Sequence, residues 1–174
     1  MSGISLVKHI SNYRVSSVLN RDVPSLGKQN LFDGSIETCW NSEQGTPQHI
    51  LVEFSPSVRI HEIRVQFQGG FAGKDTRLVD LDRKREICPL FPEDNNKVQV
   101  LSLPADEQSV ERRRIKLQFA TSTDFYGRVI VYSLDFYGSV ADEHSGQVKD
   151  MSGKDTTDPT SNSDTSSAPV ITII

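Results

Sequence analysis

Oxygen-bearing side chains are concentrated in residues 31–40. They are the carboxylates and hydroxyl groups of Asp33, Ser35, Glu37 and Thr38. Calcium binds six to eight oxygen atoms in a flexible cage, so these side chains and nearby backbone carbonyls could supply part of a calcium site. The alternative is that Asp33 and Thr38 bond the backbone amides of their own turn, as short polar side chains commonly do. The segment therefore predicts either a structural ion or a self-contained corner.

Catalytic chemistry has no comparable concentration of residues. The four histidines stand in unrelated contexts, and neither a Gly-x-Ser-x-Gly nor a His-Glu-x-x-His motif is present. The glycine-rich run 69–73 lacks the spacing and the following Lys-Ser/Thr of a phosphate-binding loop. Cys39 and Cys88 are too few for a disulfide framework or for a zinc site of their own. We therefore expect a protein that is not an enzyme.

The distribution of charge divides the chain. Residues 1–140 contain seventeen acidic and seventeen basic side chains, so the net charge of −4 belongs to residues 141–174. A neutral body does not suit direct binding to nucleic acid, which depends on contacts to phosphates. The basic runs 83–85 and 112–114 are either solvated faces or contacts for nucleic acid or localisation receptors. No stretch reaches the ~20 apolar residues that cross a bilayer, so we expect an intracellular protein without membrane contact.

Alternation of apolar and polar residues predicts the elements that must position these groups. The clearest runs are centred on Val52, Val65, Val100 and Leu117. The first two runs are expected to be separate strands joined through residues 55–57. Residues 129–136 are apolar on both faces, as in a central strand, and residues 105–112 could form one turn of helix. The count is about eight short strands, which is typical of an antiparallel β-sandwich or barrel.

Three regions follow from this pattern. Residues 1–12 are a lead-in, residues 13–140 form the sandwich, and residues 141–174 form an acidic tail rich in Ser and Thr. The tail is expected to be disordered, because it cannot bury enough apolar surface to offset its ordering entropy. Trp40, the only tryptophan of the chain, closes the oxygen-rich segment and is expected to anchor it in the core.

Several segments together resemble the galactose-binding-like superfamily, the fold of discoidin and coagulation-factor type C domains. They are Val15-Ser16-Ser17-Val18-Leu19-Asn20, Leu31-Phe32-Asp33-Gly34 with Thr38 and Trp40, the run 50–54 and the run 63–67. Within that superfamily, residues 13–138 resemble a family of small nuclear-receptor-associated proteins that repress a testicular orphan receptor. The segments 91–96 and 123–129 also carry this likeness.

The resemblance implies a fold and a function. It implies an all-β, eight-stranded galactose-binding-like jelly roll that acts by binding a protein, an orphan nuclear receptor, and keeps that receptor from its DNA response element. We also expect a monomer present in the nucleus and the cytoplasm. A structural calcium often occupies the corner in this superfamily, and here Asp33 and Thr38 would bind it, with a further ligand near Tyr137.

The jelly-roll fold presents the loops 41–47, 68–75 and 122–128 at one end of the sandwich. The candidate partner-binding residues on them are Asn41, Glu43, Phe71, Lys74, Asp124, Phe125, Tyr126 and Arg128. Two alternatives stay open, namely that Phe125 or Tyr126 caps the core and that Arg128 pairs with Asp124. A carbohydrate-binding module that uses the same loops is the second functional hypothesis, since sugars stack on exposed aromatic rings beside polar groups.

Overall fold

A computed structural model of the chain describes residues 3–142, and nearly all of the predicted tail lies outside them. These residues contain nine strands: β1 (Ile4–Ser5), β2 (Ile10–Val15), β3 (Trp40–Asn41), β4 (Gln48–Phe67), β5 (Gly73–Asp80), β6 (Arg85–Leu90), β7 (Val98–Ser102), β8 (Glu111–Ser122) and β9 (Ile130–Val140). A single turn of α-helix, α1 (Val23–Leu26), and 3-10 turns at Val7–His9, Leu19–Arg21 and Lys28–Leu31 complete the structure. The helical segments within residues 3–142 have at most four residues, so none of them could span a bilayer.

Strand β4 connects the two layers of the sandwich. Its first half pairs with β2 and β8, and after a shift in register between Glu53 and Val58 its second half pairs with β7 and β9. The outer strands of the first layer are β5 and β6, whereas β1 and β3 pair with β9 in the second layer. All of these pairings are antiparallel, which confirms the predicted all-β jelly-roll class.

The core lies between the layers and is built from the alternate residues that the sequence pattern indicated. Two aromatic contacts join the layers edge to face: Phe54 with Phe136 at 5.6 Å and Phe67 with Phe119 at 5.7 Å between ring centroids. Trp40 is completely buried, so its predicted role as a core anchor is confirmed. Such aromatic pairs contribute ~1 kcal/mol each beyond the area that they bury.

Four predictions about local structure need correction. The two strands expected on either side of residues 55–57 are one strand, because the chain stays extended through Pro56 while its partners change. Residues 105–109 form a turn that does not continue as a helix: the N–H groups of Glu107 and Gln108 share the Pro104 carbonyl, at 3.0 and 3.2 Å, and β8 begins at Glu111. Strand β9 extends to Val140 and alternates in burial, so only one of its faces is buried. The lead-in 1–12 contributes β1 and the first residues of β2 to the sheet.

Candidate functional site

Backbone hydrogen bonds bring the three predicted loops together. The Gly45 N–H donates to the Tyr126 carbonyl at 2.8 Å, which joins loop 41–47 to loop 122–128. The Thr123 N–H donates to the Ala72 carbonyl at 2.9 Å, and the Ala72 N–H donates to Thr123 Oγ1 at 3.0 Å, which joins loop 122–128 to loop 68–75. The expected meeting of these loops at one end of the sandwich is therefore observed.

A fourth loop, residues 91–97, belongs to the same surface and was not predicted as part of the site. The Gly69 N–H donates to Asn96 Oδ1 at 2.7 Å, and the Gly70 N–H donates to Asp94 Oδ1 at 2.8 Å. Phe91, at the start of this loop, is 81% exposed. The sequence contained only a weak sign of this contact. Backbone N–H groups of two glycines need acceptors, and a later run of Asp and Asn can supply them. We call the four loops 41–47, 68–75, 91–97 and 122–128 the loop end.

Loop 122–128 is held by its own polar side chains. Asp124 Oδ2 accepts hydrogen bonds from the Arg128 backbone N–H at 3.1 Å and from Arg128 Nε at 2.9 Å. The hydrogen bond from Arg128 keeps the pKa of the Asp124 carboxyl below its ordinary value. Gly127 has φ +80°, and a Cβ there would lie 3.0 Å from the Gly45 backbone. The predicted pairing of Arg128 with Asp124 is thus present, and it fixes the shape of the loop.

Two aromatic side chains project from this loop into solvent. Phe125 is 93% exposed and Tyr126 is 58% exposed, and their rings meet edge to face with centroids 5.2 Å apart. The guanidinium carbon of Arg128 lies 5.0 Å from the centroid of the half-buried Phe71 ring and 5.9 Å from that of Tyr126. Neither Phe125 nor Tyr126 caps the core, so that alternative is wrong. Exposed rings of this size on a rigid loop are typical of interface anchors.

The remaining predicted residues differ in accessibility. Asn41 pairs with Ile130 in the sheet and is only 9% exposed, and its Oδ1 atom has no hydrogen-bond partner among residues 3–142. Glu43 is half-buried and accepts from the Asn20 N–H at 3.0 Å, whereas Lys74 is exposed. Pairing in the sheet therefore removes Asn41 from the surface that a partner could contact.

Loop 41–47 is fixed from below by the buried side chain of Gln48. Its Nε2 donates to the Glu43 carbonyl at 3.1 Å and to the Gly45 carbonyl at 2.7 Å. Its Oε1 accepts from the Ser17 hydroxyl at 2.8 Å and also from the Ser16 hydroxyl. Because the buried Gln48 amide forms hydrogen bonds through both its nitrogen and its oxygen, it restricts the conformation of the loop. The loop surface is therefore preformed.

The predicted calcium corner is closed by its own hydrogen bonds. Asp33 Oδ1 accepts from the Ser35 N–H at 2.9 Å, and Asp33 Oδ2 accepts from the Thr38 hydroxyl at 2.5 Å. Gly34 takes φ +72° at the turn. Within residues 3–142, no three His, Cys, Asp or Glu side chains are grouped as metal ligands would be. One carboxylate whose two oxygens already accept bonds is a poor fit to a cation that takes six to eight oxygens.

Whether this corner binds calcium has a direct test. We expect millimolar calcium to leave the melting temperature of the chain unchanged relative to EDTA, because the Asp33 oxygens are already engaged. Differential scanning calorimetry measures this. A rise in melting temperature with calcium that disappears in the Asp33→Asn variant would instead establish the ion at this corner.

The basic runs are largely neutralised where they meet, at the end of the sandwich opposite the loop end. Arg83 pairs with Asp80 at 3.0 Å, Arg85 with Glu107 at 2.9 Å and Arg114 with Asp82 at 2.7 Å. Arg112 is 1% exposed and pairs with Glu107, so its assignment to a solvated face is wrong. Local sequence gave no sign of its burial, because its partners come from other elements.

The two cysteines lack the properties of a nucleophile. Burial raises the pKa of Cys88 to about 11 and also raises the pKa of Cys39. Because the thiolate is the reactive form, a raised pKa makes both groups weaker nucleophiles at neutral pH. Nothing about these two groups points to catalysis.

Comparison with known proteins gave relatives that share most of the chain. A scan against protein-family models found no match. The protein named nuclear receptor 2C2-associated protein in Danio rerio is 47% identical over 137 residues, which are 77% of this chain and 95% of that protein. The protein of the same name in Homo sapiens is 42% identical over 128 residues, which are 72% of this chain and 89% of that protein.

Similar solved structures confirm the galactose-binding-like fold. The family 32 carbohydrate-binding module of C. perfringens NanJ, solved with galactose, has a TM-score of 0.64 at 14% identity and covers 79% of this chain and 99% of its own. An F5/8 type C domain from Bacteroides fragilis has a TM-score of 0.60 at 13% identity and covers 75% of this chain and 92% of its own. At such identities the likeness shows the fold alone.

Proposed function

The chain belongs to the nuclear receptor 2C2-associated protein family, and from that premise we propose that it is a protein-binding adaptor for a nuclear receptor of the 2C2 type. The partner binds the loop end, and the bound receptor is kept from its DNA response element and so loses transactivation. The observation that carries this proposal is the exposed pair Phe125 and Tyr126 on a loop that internal hydrogen bonds hold rigid.

Three features support an adaptor of this kind. The relatives are named for association with a receptor rather than for a reaction. The loop end is preformed, so little conformational entropy is lost when a partner binds. Burial raises the pKa of both cysteine thiols, so neither is an activated nucleophile. We place this adaptor in the nucleus and the cytoplasm, as a monomer that contacts the receptor and not the DNA.

Truncating the two exposed rings tests where the receptor binds. We expect the double variant Phe125→Ala and Tyr126→Ala to weaken binding to a 2C2-type receptor by at least about tenfold, because aromatic anchors at the centre of an interface are energetic hot spots. Isothermal titration calorimetry measures the dissociation constant. Ile36→Ala is the matched control, since Ile36 is 82% exposed but lies in segment 31–40. Equal affinities for the double variant and the wild type would place the interface elsewhere.

Carbohydrate binding is the second candidate, because similar solved structures include a module in complex with galactose. A sugar site would need polar groups beside Phe125 or Tyr126 that are available to sugar hydroxyls. Asp124 and Arg128 are instead bonded to each other. We therefore expect no ligand on a glycan array, and a sugar whose binding is lost in the same double variant would favour the second candidate.

A further inference from the structure

The loop end carries an excess of negative charge on a body that is neutral as a whole. Its five carboxylates and three basic groups are Glu43, Asp75, Glu93, Asp94 and Asp124, against Lys74, Lys97 and Arg128. Within residues 3–142, only Asp124 among these carboxylates forms a salt bridge, with Arg128. The other four make no salt bridge within residues 3–142, and against Lys74 and Lys97 they leave the loop end with a net charge of −2.

The opposite end of the sandwich shows the contrast. There, around the turn between β5 and β6 and the start of β8, arginines pair with carboxylates. Arg83, Arg85, Arg112 and Arg114 all take part in these pairs. The charge of that end is thus largely compensated locally. The loop end therefore has an excess of negative charge, whereas the charges of the opposite end nearly balance.

Three of these carboxylates, on Asp75, Glu93 and Asp94, are both exposed and oriented by hydrogen bonds. Asp94 accepts the Gly70 N–H through Oδ1, and Asp75 Oδ2 accepts from the Thr121 hydroxyl at 2.8 Å. Glu93 Oε2 accepts from Asn95 Nδ2 at 3.1 Å. A carboxylate has about four acceptor positions, so each keeps capacity for another donor while its direction is fixed. This arrangement lowers the entropic cost of binding a cationic side chain.

Exposed aromatic rings on the same loops provide the second part of a cation-binding surface. Phe91 is 81% exposed, and Phe125 and Tyr126 are the largest exposed rings of loop 122–128. The face of such a ring attracts Lys and Arg side chains, with a preference for Arg. Arg128 already lies near the rings of Phe71 and Tyr126. Aromatic rings can pack against the aliphatic part of a Lys side chain and against the guanidinium plane of Arg. Carboxylates beside the rings can pair with the positive charges. A surface with both groups is therefore suited to Lys and Arg.

Resting on the function proposed above, we propose that the loop end recognises a segment of its protein partner that is rich in Lys and Arg. The apolar rings provide contact area, and the unneutralised carboxylates select for positive charge. A basic segment is also what a DNA-binding protein uses to neutralise phosphates. When the loop end binds the basic segment of the receptor, DNA can no longer contact that segment. This competition gives a physical reason for the loss of DNA binding.

The experiment measures two dissociation constants for the full chain, at low salt and at physiological salt. One ligand is a 2C2-type receptor, and the other is a synthetic peptide of alternating Lys, Arg and Gly. The test variants Glu93→Gln and Asp94→Asn each remove one charge and keep the side-chain shape. Asp106→Asn is the matched control, because it removes one charge from an exposed residue that lies outside the loop end. We expect each test variant to weaken both complexes by about two- to fivefold, the control to have no effect, and salt to weaken both.

The possible results separate this inference from the proposed function. Receptor binding that is lost with Phe125→Ala and Tyr126→Ala, but is insensitive to salt and to both charge variants, would leave the adaptor function in place and overturn the basic-segment proposal. If the chain binds the peptide with the expected charge dependence but does not bind the receptor, recognition of a basic segment is supported and the receptor is not the partner. Binding of neither ligand would overturn both.

Discussion

Replacing Arg112 by alanine is expected to lower the free energy of unfolding by about 3–5 kcal/mol. Arg112 is buried, and its Nη1 donates to the Glu107 carbonyl at 2.7 Å and to the Val110 carbonyl at 3.1 Å. Its Nη2 pairs with the Glu107 carboxylate, and its Nε lies 3.7 Å from Asp80 Oδ2. Truncation leaves these acceptors without their buried donor. Asp80 keeps its pair with Arg83 and Glu107 its pair with Arg85, but both lose the one cation that is itself buried, so the loss exceeds that of an ordinary surface ion pair.

Urea unfolding, followed by the fluorescence of the single tryptophan, measures this loss. Arg113→Ala is the matched control, since Arg113 is the exposed neighbour on the same strand and its removal should change stability by no more than about 0.5 kcal/mol. Similar losses for the two variants would show that Arg112 is solvated in solution and would contradict the buried cluster.

The second large effect is expected from Trp40→Ala, which should cost about 3–5 kcal/mol of stability. The indole ring is completely buried, and its Nε1–H donates to the Ser17 carbonyl at 2.9 Å. Removing it leaves a cavity at the start of loop 41–47 as well as an acceptor without its donor. The Ser17 hydroxyl accepts from the Glu43 N–H at 3.0 Å, so the same change also weakens the support of that loop.

Trp40→Phe separates the two contributions to this loss. Phenylalanine keeps most of the ring packing but cannot donate to the Ser17 carbonyl, so we expect a loss of about 1–2 kcal/mol. Urea unfolding followed by far-ultraviolet circular dichroism measures both variants, since neither retains the tryptophan. A loss below about 1 kcal/mol for Trp40→Ala would mean that the ring does not pack as the structure places it.

The sequence predicted the core better than the connections. The alternation around Val52, Val65 and Leu117 indicated residues that are indeed buried, because one buried face of a strand leaves a period of two in the sequence. The prediction was wrong at Pro56, because a proline after an alternating run normally indicates the end of a strand. Pro56 lies where β4 changes partners between Glu53 and Val58, so the absence of its N–H costs the sheet little.

The site was predicted only in part, because its missing components depend on tertiary contacts. Phe125, Tyr126 and Arg128 were recognisable as loop residues of interface character. The position of loop 91–97 depends on hydrogen bonds that Asp94 and Asn96 accept from the N–H groups of glycines more than twenty residues away. The burial of Asn41 depends likewise on its pairing with Ile130. Neither relationship leaves a local pattern in the sequence.

Competition with DNA shows directly whether the chain keeps a receptor from its response element. A 2C2-type receptor is bound to a fluorescent DNA response element, and the full chain is titrated in while anisotropy reports the fraction of DNA bound. We predict that the chain releases the DNA, and that the double variant Phe125→Ala and Tyr126→Ala needs about tenfold more protein to do so, whereas Ile36→Ala behaves as wild type. A receptor that binds the chain and retains its DNA at saturation would contradict the claim.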